Sequence, residues 1–346
     1  MSVESFMELQ TLPYEYKITY AKGLAKDFYT ETNGNVFCSV GGLDSITLLL
    51  FLRKYVSPDI VGVSLSSLED KSIQRIHKSL DNMVFLTPYK TKVQVIKEHG
   101  YPVISKDKAG KIQLLQNPTE KNSTVRHAIM TGDTGAYGGW RKGTRMRLPQ
   151  KWLDLFAGPE NEQYGTNYKT APFKVSPDCC YHMKEKPAND WAKANKVHPY
   201  MGLMASEGGR RRKALMKNGC NYYGKTVTRS CPFAIFNRTD LLQLALDLEV
   251  PLPEIYGEIK QQRNGTLETT KAKRTGCTMC GFGIHIEKRP HRFDRLRETS
   301  PKEWEYWMYK MGWGKVLDYI GVGWEDDLNY TPLFGLSITQ ATNSAR

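Results

Sequence analysis

Two groups of residues in this chain have types and spacings that could do chemistry. The first is Ser39-Val40-Gly41-Gly42-Leu43-Asp44-Ser45, which runs directly into the apolar segment Ile46-Thr47-Leu48-Leu49-Leu50-Phe51-Leu52. It reads as strand, glycine turn and helix, with glycines that permit close backbone approach and positive φ, and with Asp44 and Ser45 in the first helical turn. Such a turn aims several unpaired amide N–H groups and the positive end of the helix dipole at one point. That point suits a phosphate. An ordinary strand-to-helix turn with a glycine pair is the alternative these residues leave open.

The second group is the cysteines. Cys179 and Cys180 are adjacent, so they cannot both face one core pocket from a helix or a strand. Cys277-Thr278-Met279-Cys280, flanked by Gly276 and Gly281, is a C-x-x-C turn that brings two sulfurs to one centre. Soft thiolates select zinc or an iron–sulfur cluster, and a redox disulfide is a third possibility. Cys38 and Cys231 read as small buried hydrophobes, and Cys220 as a replacement ligand or a free thiol. Between the pairs stands Glu207-Gly208-Gly209-Arg210-Arg211-Arg212-Lys213, whose guanidinium forks match phosphate or sulfate oxygens, or else form a solvated basic turn.

The elements that must position these groups alternate in type. Residues 1–34 read as a helical lead-in, with Tyr16, Tyr20, Leu24 and Phe28 on one face. The strand ending at the glycine turn, its helix, a strand over Asp59 to Leu65, a helix from Lys71 to Asn82 and a strand from Met83 to Leu86 form βαβ units. They predict an α/β fold with a doubly wound, mostly parallel sheet, and ligands beyond the carboxyl ends of its strands. Residues 35–260 are read as this nucleotide-binding domain. It carries an irregular basic insertion over about 106–170, in which Trp140, Arg141, Arg145 and Arg147 form either a substrate-facing lid or a solvated loop. Thr239 reads as the N-cap of a later helix. Residues 261–346 form a largely helical C-terminal region with the C-x-x-C, and its aromatic stretch from Trp304 to Trp313 is read as packing.

With 346 residues, 40% of them hydrophobic, the chain can bury a full α/β core and further structure. Seven cysteines fit metal or redox chemistry in a reducing compartment better than a secreted disulfide framework. No apolar run of about 18 residues occurs and the N-terminus lacks a signal pattern, so a cytoplasmic protein without membrane attachment is expected. The net charge of +13 favours polyanionic partners, nucleotides and nucleic acids alike.

The loop Ser39 to Ser45 resembles the S-x-G-G-x-D-S pyrophosphate loop of the ATP pyrophosphatase (adenine nucleotide alpha hydrolase) superfamily, in its phosphoadenosine-phosphosulfate (PAPS) reductase-like branch. The segments from Met201 to Lys213, Pro232 to Leu242 and Val250 to Gly257 are similar to further segments of that family. The adjacent cysteine pair followed by a distant C-x-x-C resembles the branch that reduces adenosine phosphosulfate (APS) and carries a 4Fe–4S cluster. The resemblance implies a Rossmann-like sheet and an adenine nucleotide held by Ser39, Val40, Gly41, Gly42, Leu43, Asp44, Ser45 and Arg211. Asp44, Ser45, Arg210 and Arg212 would act in catalysis, with Asp44 helping to hold Mg2+. Cluster ligands would come from Cys179, Cys180, Cys277 and Cys280, with Cys220 in reserve and Zn2+ as the alternative metal.

One departure bears on activity. Reductases of this family use a thiol in a C-terminal E-C-G-I/L-H motif, and no cysteine follows Cys280. The loop also keeps its ATP-type form. The implied function is therefore ATP–Mg2+ cleavage at the α-phosphate with pyrophosphate release, in sulfur transfer to an acceptor such as a nucleic acid, fed by a sulfur or thiol donor protein. A sulfonucleotide reductase acting on PAPS or APS is the alternative. A non-catalytic nucleotide- or nucleic-acid-binding module with a structural metal is the second.

Overall fold

The computed structural model describes residues 2–133, 146–225 and 227–325, with Arg210 described by its backbone alone. The lid residues Trp140, Arg141 and Arg145 lie outside the described residues. Two compact units divide the chain: Met1–Pro88 with Lys184–Thr278, and Tyr89–Met183 with Met279–Arg346.

The first unit is built on a six-stranded sheet. From edge to edge its strands are Met83–Phe85, Val61–Ser64, Val36–Val40, His198–Met201, Thr228–Ser230 and Asn221–Tyr223. Every pairing is parallel except the last, where the edge strand Asn221–Tyr223 returns as a hairpin. The central strand Val36–Val40 is apolar and almost wholly buried, as a strand covered on both faces must be. Its Ser39 lies opposite Val63 on one neighbour and Met201 on the other. From this strand the chain first builds outward through Val61–Ser64 and Met83–Phe85, then resumes on the other side with His198–Met201. The order reverses between these two neighbours, and the carboxyl ends of strands at such a switch point are the place where sheets of this kind bind ligands. The expected mostly parallel α/β sheet is thus the observed one.

Helix Leu43–Tyr55 follows the central strand and buries Leu43, Ile46, Leu48, Leu49, Phe51 and Leu52, with Phe51 edge-on to Phe233 at 5.2 Å between centroids. Helix Tyr14–Glu31 corrects the expected face. Its core side is Lys17, Ala21, Ala25 and Phe28, while Tyr16 is 66% exposed. Steps of four residues drift about 40° each from the helical period, so a row that is in the core at Phe28 has turned to solvent by Tyr16.

In the second unit, Val103–Ile104 pairs in parallel with Gly281–Phe282. A Cβ at Gly281 would stand 2.7 Å from Trp313 and 2.9 Å from Val103 Cγ1, so only glycine fits. Trp304 and Trp313 are fully buried, in line with the packing role expected of that stretch. The stretch read as irregular is helical over Lys106–Gln116, Ser123–Thr131 and Gln150–Phe156. Its lysines and glycines hid an apolar face formed by Ala109, Ile112 and Leu115. Among the described residues no helix is long and apolar enough to cross a membrane.

Candidate functional site

The glycine turn lies at the carboxyl end of the central strand, where the strand order reverses. Gly42 is the N-cap of helix Leu43–Tyr55, with φ −77° and ψ −169°, and neither Gly41 nor Gly42 takes a positive φ. Close approach, not backbone handedness, is what requires glycine here. A Cβ at Gly42 would lie 2.5 Å from Tyr256 Oη and 3.0 Å from Thr275 Oγ1. Gly202, just past the neighbouring strand, packs the same way: its Cβ would meet the Asp44 carbonyl oxygen at 3.1 Å and Ser45 Cα at 3.2 Å.

The loop's own groups divide into satisfied and free. Ser45 Oγ accepts from the Gly41 N–H (2.7 Å) and donates to the Gly42 carbonyl (3.0 Å), so the hydroxyl expected on phosphate instead braces the turn. The Leu43 N–H donates to Tyr256 Oη at 3.1 Å. Among the described residues, the N–H groups of Gly42 and Asp44 make no hydrogen bond. Two donors at the start of a 13-residue helix are therefore available to an anion. Ser39 is half-buried in its strand, and Val40 and Leu43 are buried with their side chains in the core.

Two of the charges around the turn, Arg238 and Arg274, are residues the sequence did not single out. Arg238 Nη1 donates to Asp44 Oδ1 at 2.5 Å, and among the described residues its buried Nη2 has no hydrogen-bond partner. Burial pushes the Asp44 carboxyl above its ordinary range. Arg238, then Arg274, oppose that shift, and the Glu207 carboxylate adds to it. Glu207, its side chain 3% exposed, pairs with Arg211 and lies 3.4 Å from Arg274. Arg211 and Arg212 project from helix Gly209–Asn218 and are exposed. Of the three expected arginines, then, Arg211 is tied to Glu207. The side chain of Arg210 lies outside the described groups.

Arg238 could have been found from its spacing. Asn237 caps helix Arg238–Asp247 by accepting from the Asp240 N–H while Asp240 accepts from the Asn237 N–H, a capping box that starts two residues before the expected cap, Thr239. The box fixes Arg238 as the first helical residue. Asp240 in turn holds the buried Lys17 ammonium at 2.8 Å.

A buried polar chain supports the other side of the turn. His77 Nε2 donates to the Gly41 carbonyl at 2.7 Å, and Nδ1 meets Ser64 Oγ at 3.0 Å and Ser66 Oγ at 3.3 Å. Burial pushes the imidazole below its ordinary 6.5; Glu69 opposes this shift and Lys184 adds to it. The unfolded imidazole takes up a proton as pH falls through about 6.5 while the folded one resists. Stability is therefore complete above that pH and declines below it. Urea unfolding at pH 7.5 and 5.5 should show this loss in the wild type and a smaller one in His77→Gln, which keeps a donor for Gly41 but does not titrate; equal losses would exclude His77 as the source.

Glu69 is buried, its Oε1 3.5 Å from where a Gly41 Cβ would be and 2.5 Å from Lys184 Nζ. Burial disfavours the Lys184 ammonium, yet Cys277 and the Glu69 carboxylate beside it hold its pKa well above the ordinary lysine value.

The cysteines fall into two kinds. Cys38 and Cys231 are fully buried, and burial pushes their thiols up, that of Cys231 to about 12. Cys220 is also buried and pushed up to about 11 beside Tyr20, so it is a neutral thiol at pH 7. Cys277 belongs to the first unit, and Cys179, Cys180 and Cys280 to the second. In the second unit the turn before Cys179 is held by Gln113 Nε2, which donates to Asp178 Oδ2 (2.6 Å) and Ser176 Oγ (3.1 Å). Within each unit, among the described residues, no three His, Cys, Asp or Glu side chains are gathered as a metal site.

No protein-family model and no curated protein sequence matches the chain. Among solved structures it is similar to the phosphate complex of phosphoadenylyl-sulfate (PAPS) reductase from Candida auris, at a TM-score of 0.35 and 11% identity, over 74% of this chain and 98% of that one.

Proposed function

We propose that the first unit is an adenine-nucleotide site, with the phosphates of ATP–Mg2+ seated on the Gly41-Gly42 turn. The observation that carries this reading is a set of donors unmet among the described residues at the carboxyl end of the central strand: the N–H groups of Gly42 and Asp44 and Arg238 Nη2. Preorganised donors in a partly dry site stabilise developing charge without reorganising. Asp44 keeps one carboxylate oxygen on Arg238 and offers the other to a hydrated Mg2+. Arg238 neutralises phosphate charge in place of the three consecutive arginines, and Arg274 supplies a second positive group beside Glu207.

The chemistry proposed is adenylation. An acceptor oxygen forms a bond to the α-phosphorus, the bond to the bridging oxygen breaks, and pyrophosphate leaves with that electron pair. A sulfur nucleophile from a donor protein then displaces AMP, and the basic chain suits a nucleic-acid acceptor. Cys179, Cys180, Cys277 and Cys280 are proposed as ligands of a 4Fe–4S cluster or Zn2+ on their thiol chemistry and sequence spacing alone; such a group would supply sulfide carriage or a structural clamp, and no step is assigned to it.

The test is calorimetric titration of the anaerobically purified protein with ATP–Mg2+ and with PAPS, beside Asp44→Ala. The expected result is preferential ATP–Mg2+ binding that weakens at least about tenfold in the variant, as loss of one charged ligand predicts. Preference for PAPS would return the chain to the sulfonucleotide reductases, and binding of neither would leave the non-catalytic module. The absorbance spectrum of the same sample separates a cluster from zinc.

A further inference from the structure

The Leu43 N–H lies between the two free amides of the turn, and its partner is a side chain from far along the chain. Tyr256 Oη accepts from it at 3.1 Å and is itself 2.8 Å from Thr275 Oγ1, both hydroxyls packed under Gly42. Tyr256 is 3% exposed. Thr275 opens a short segment with two further contacts on the Leu68-Glu69 side of the turn. The Thr278 N–H donates to the Leu68 carbonyl at 3.2 Å, and Cys277 stands beside Lys184, whose ammonium is paired with Glu69 at 2.5 Å. The phenol thus fills the helix position that an anion would otherwise take.

We propose that the Tyr256–Thr275 pair is a latch: an anion bound at the turn takes the Leu43 N–H from Tyr256 and thereby releases the segment Thr275 to Thr278, which carries Cys277. This rests on the nucleotide-site reading. A hydrogen bond from an amide to a phosphate oxygen is about twice as strong as one to a neutral phenol, so the anion wins the shared donor. The coupling is reciprocal: whatever frees the segment strengthens anion binding. Nucleotide occupancy would then set the exposure of Cys277.

The test uses the full chain, inorganic pyrophosphate and ATP–Mg2+ as probes, and hydrogen exchange read on peptides covering residues 36–45 and 272–278. In the wild type both probes should slow exchange in the first peptide and speed it in the second. In Tyr256→Phe the second peptide should exchange fast from the start and respond no further, with pyrophosphate bound about fivefold more tightly because a competitor worth about 1 kcal/mol is gone. Thr275→Val frees the segment but leaves Tyr256 on the Leu43 N–H, so pyrophosphate affinity should rise by less than in Tyr256→Phe while the second peptide loses its response. If Tyr256→Phe does not fold, Thr275→Val carries the test. Protection of 36–45 with no change in 272–278 would overturn the latch alone, as would weaker pyrophosphate binding in Tyr256→Phe. No protection of 36–45 with either probe would overturn the nucleotide site, and the latch with it.

Discussion

Gly42→Ala is expected to lower folding stability by about 1–3 kcal/mol, the range for overpacking a well-filled site. The added methyl would lie 2.5 Å from Tyr256 Oη and 3.0 Å from Thr275 Oγ1, so the Tyr256–Thr275 pair must be pushed away from the turn. Any withdrawal also strips the Leu43 N–H of its acceptor. Gly41→Ala is the contrast, because its nearest neighbour, Glu69 Oε1, stands at an ordinary 3.5 Å and the backbone there is not left-handed. That variant should stay within about 1 kcal/mol of wild type. Since the clash is with one oxygen, Tyr256→Phe in the Gly42→Ala background should recover part of the loss. Urea denaturation of the two single variants and the double gives the coupling directly. Purely additive losses would mean that the contact with Tyr256 is not what glycine relieves.

Arg238→Met should reduce ATP–Mg2+ affinity by about 10- to 100-fold, as the loss of a charged hydrogen-bond donor to phosphate predicts. Two effects combine. The buried Nη2 proposed to meet phosphate is lost, and Asp44, already pushed up by burial, loses the guanidinium that opposes the shift. Both side chains of the pair are about a quarter exposed, at 28% and 26%, so water softens the second effect and the first dominates. Arg238→Lys should fall between wild type and Arg238→Met, since an ammonium restores charge but not the fork. Arg212→Met, on an exposed helix position, should change affinity less than about threefold. Calorimetry on the three variants decides the matter: if Arg212→Met is the one that loses binding, the three consecutive arginines hold the phosphates after all.

What the sequence made legible follows from local physics. The strand, glycine turn and helix around Gly41 and Gly42 were readable because their apolar runs and turn residues lie within twenty positions of one another. The parallel sheet followed from the βαβ alternation. The partners that give the turn its chemistry were not readable in the same way. Tyr256 and Arg238 stand 213 and 194 residues from their partners in the turn and His77 stands 36 from its own, while Thr275 reaches it through Tyr256 and Lys184 stands behind Glu69; no periodicity marks contacts of this kind. Gly202 was hidden for the same reason, since its need for glycine comes from the Asp44 and Ser45 backbone and not from its own turn. The helices between Lys106 and Phe156 were obscured by a polar composition that masks a narrow apolar face. Arg238 alone offered a local signal, in the spacing of Asn237 and Asp240, and a cap placed at Thr239 passed over it.

The first unit is discontinuous, and this orders events on the ribosome. The central strand Val36–Val40 obtains its neighbour Val61–Ser64 soon after synthesis, but its other edge waits for His198–Met201. Lys17 likewise waits for Asp240, 223 residues away. At about 5–20 residues per second, this central strand keeps an open edge for on the order of 10 s. During that interval the sheet is a half-built template, exposed to any other extended chain nearby. Expression yield should therefore depend more on translation temperature and on chaperones that shield strand edges than on the stability of the finished protein.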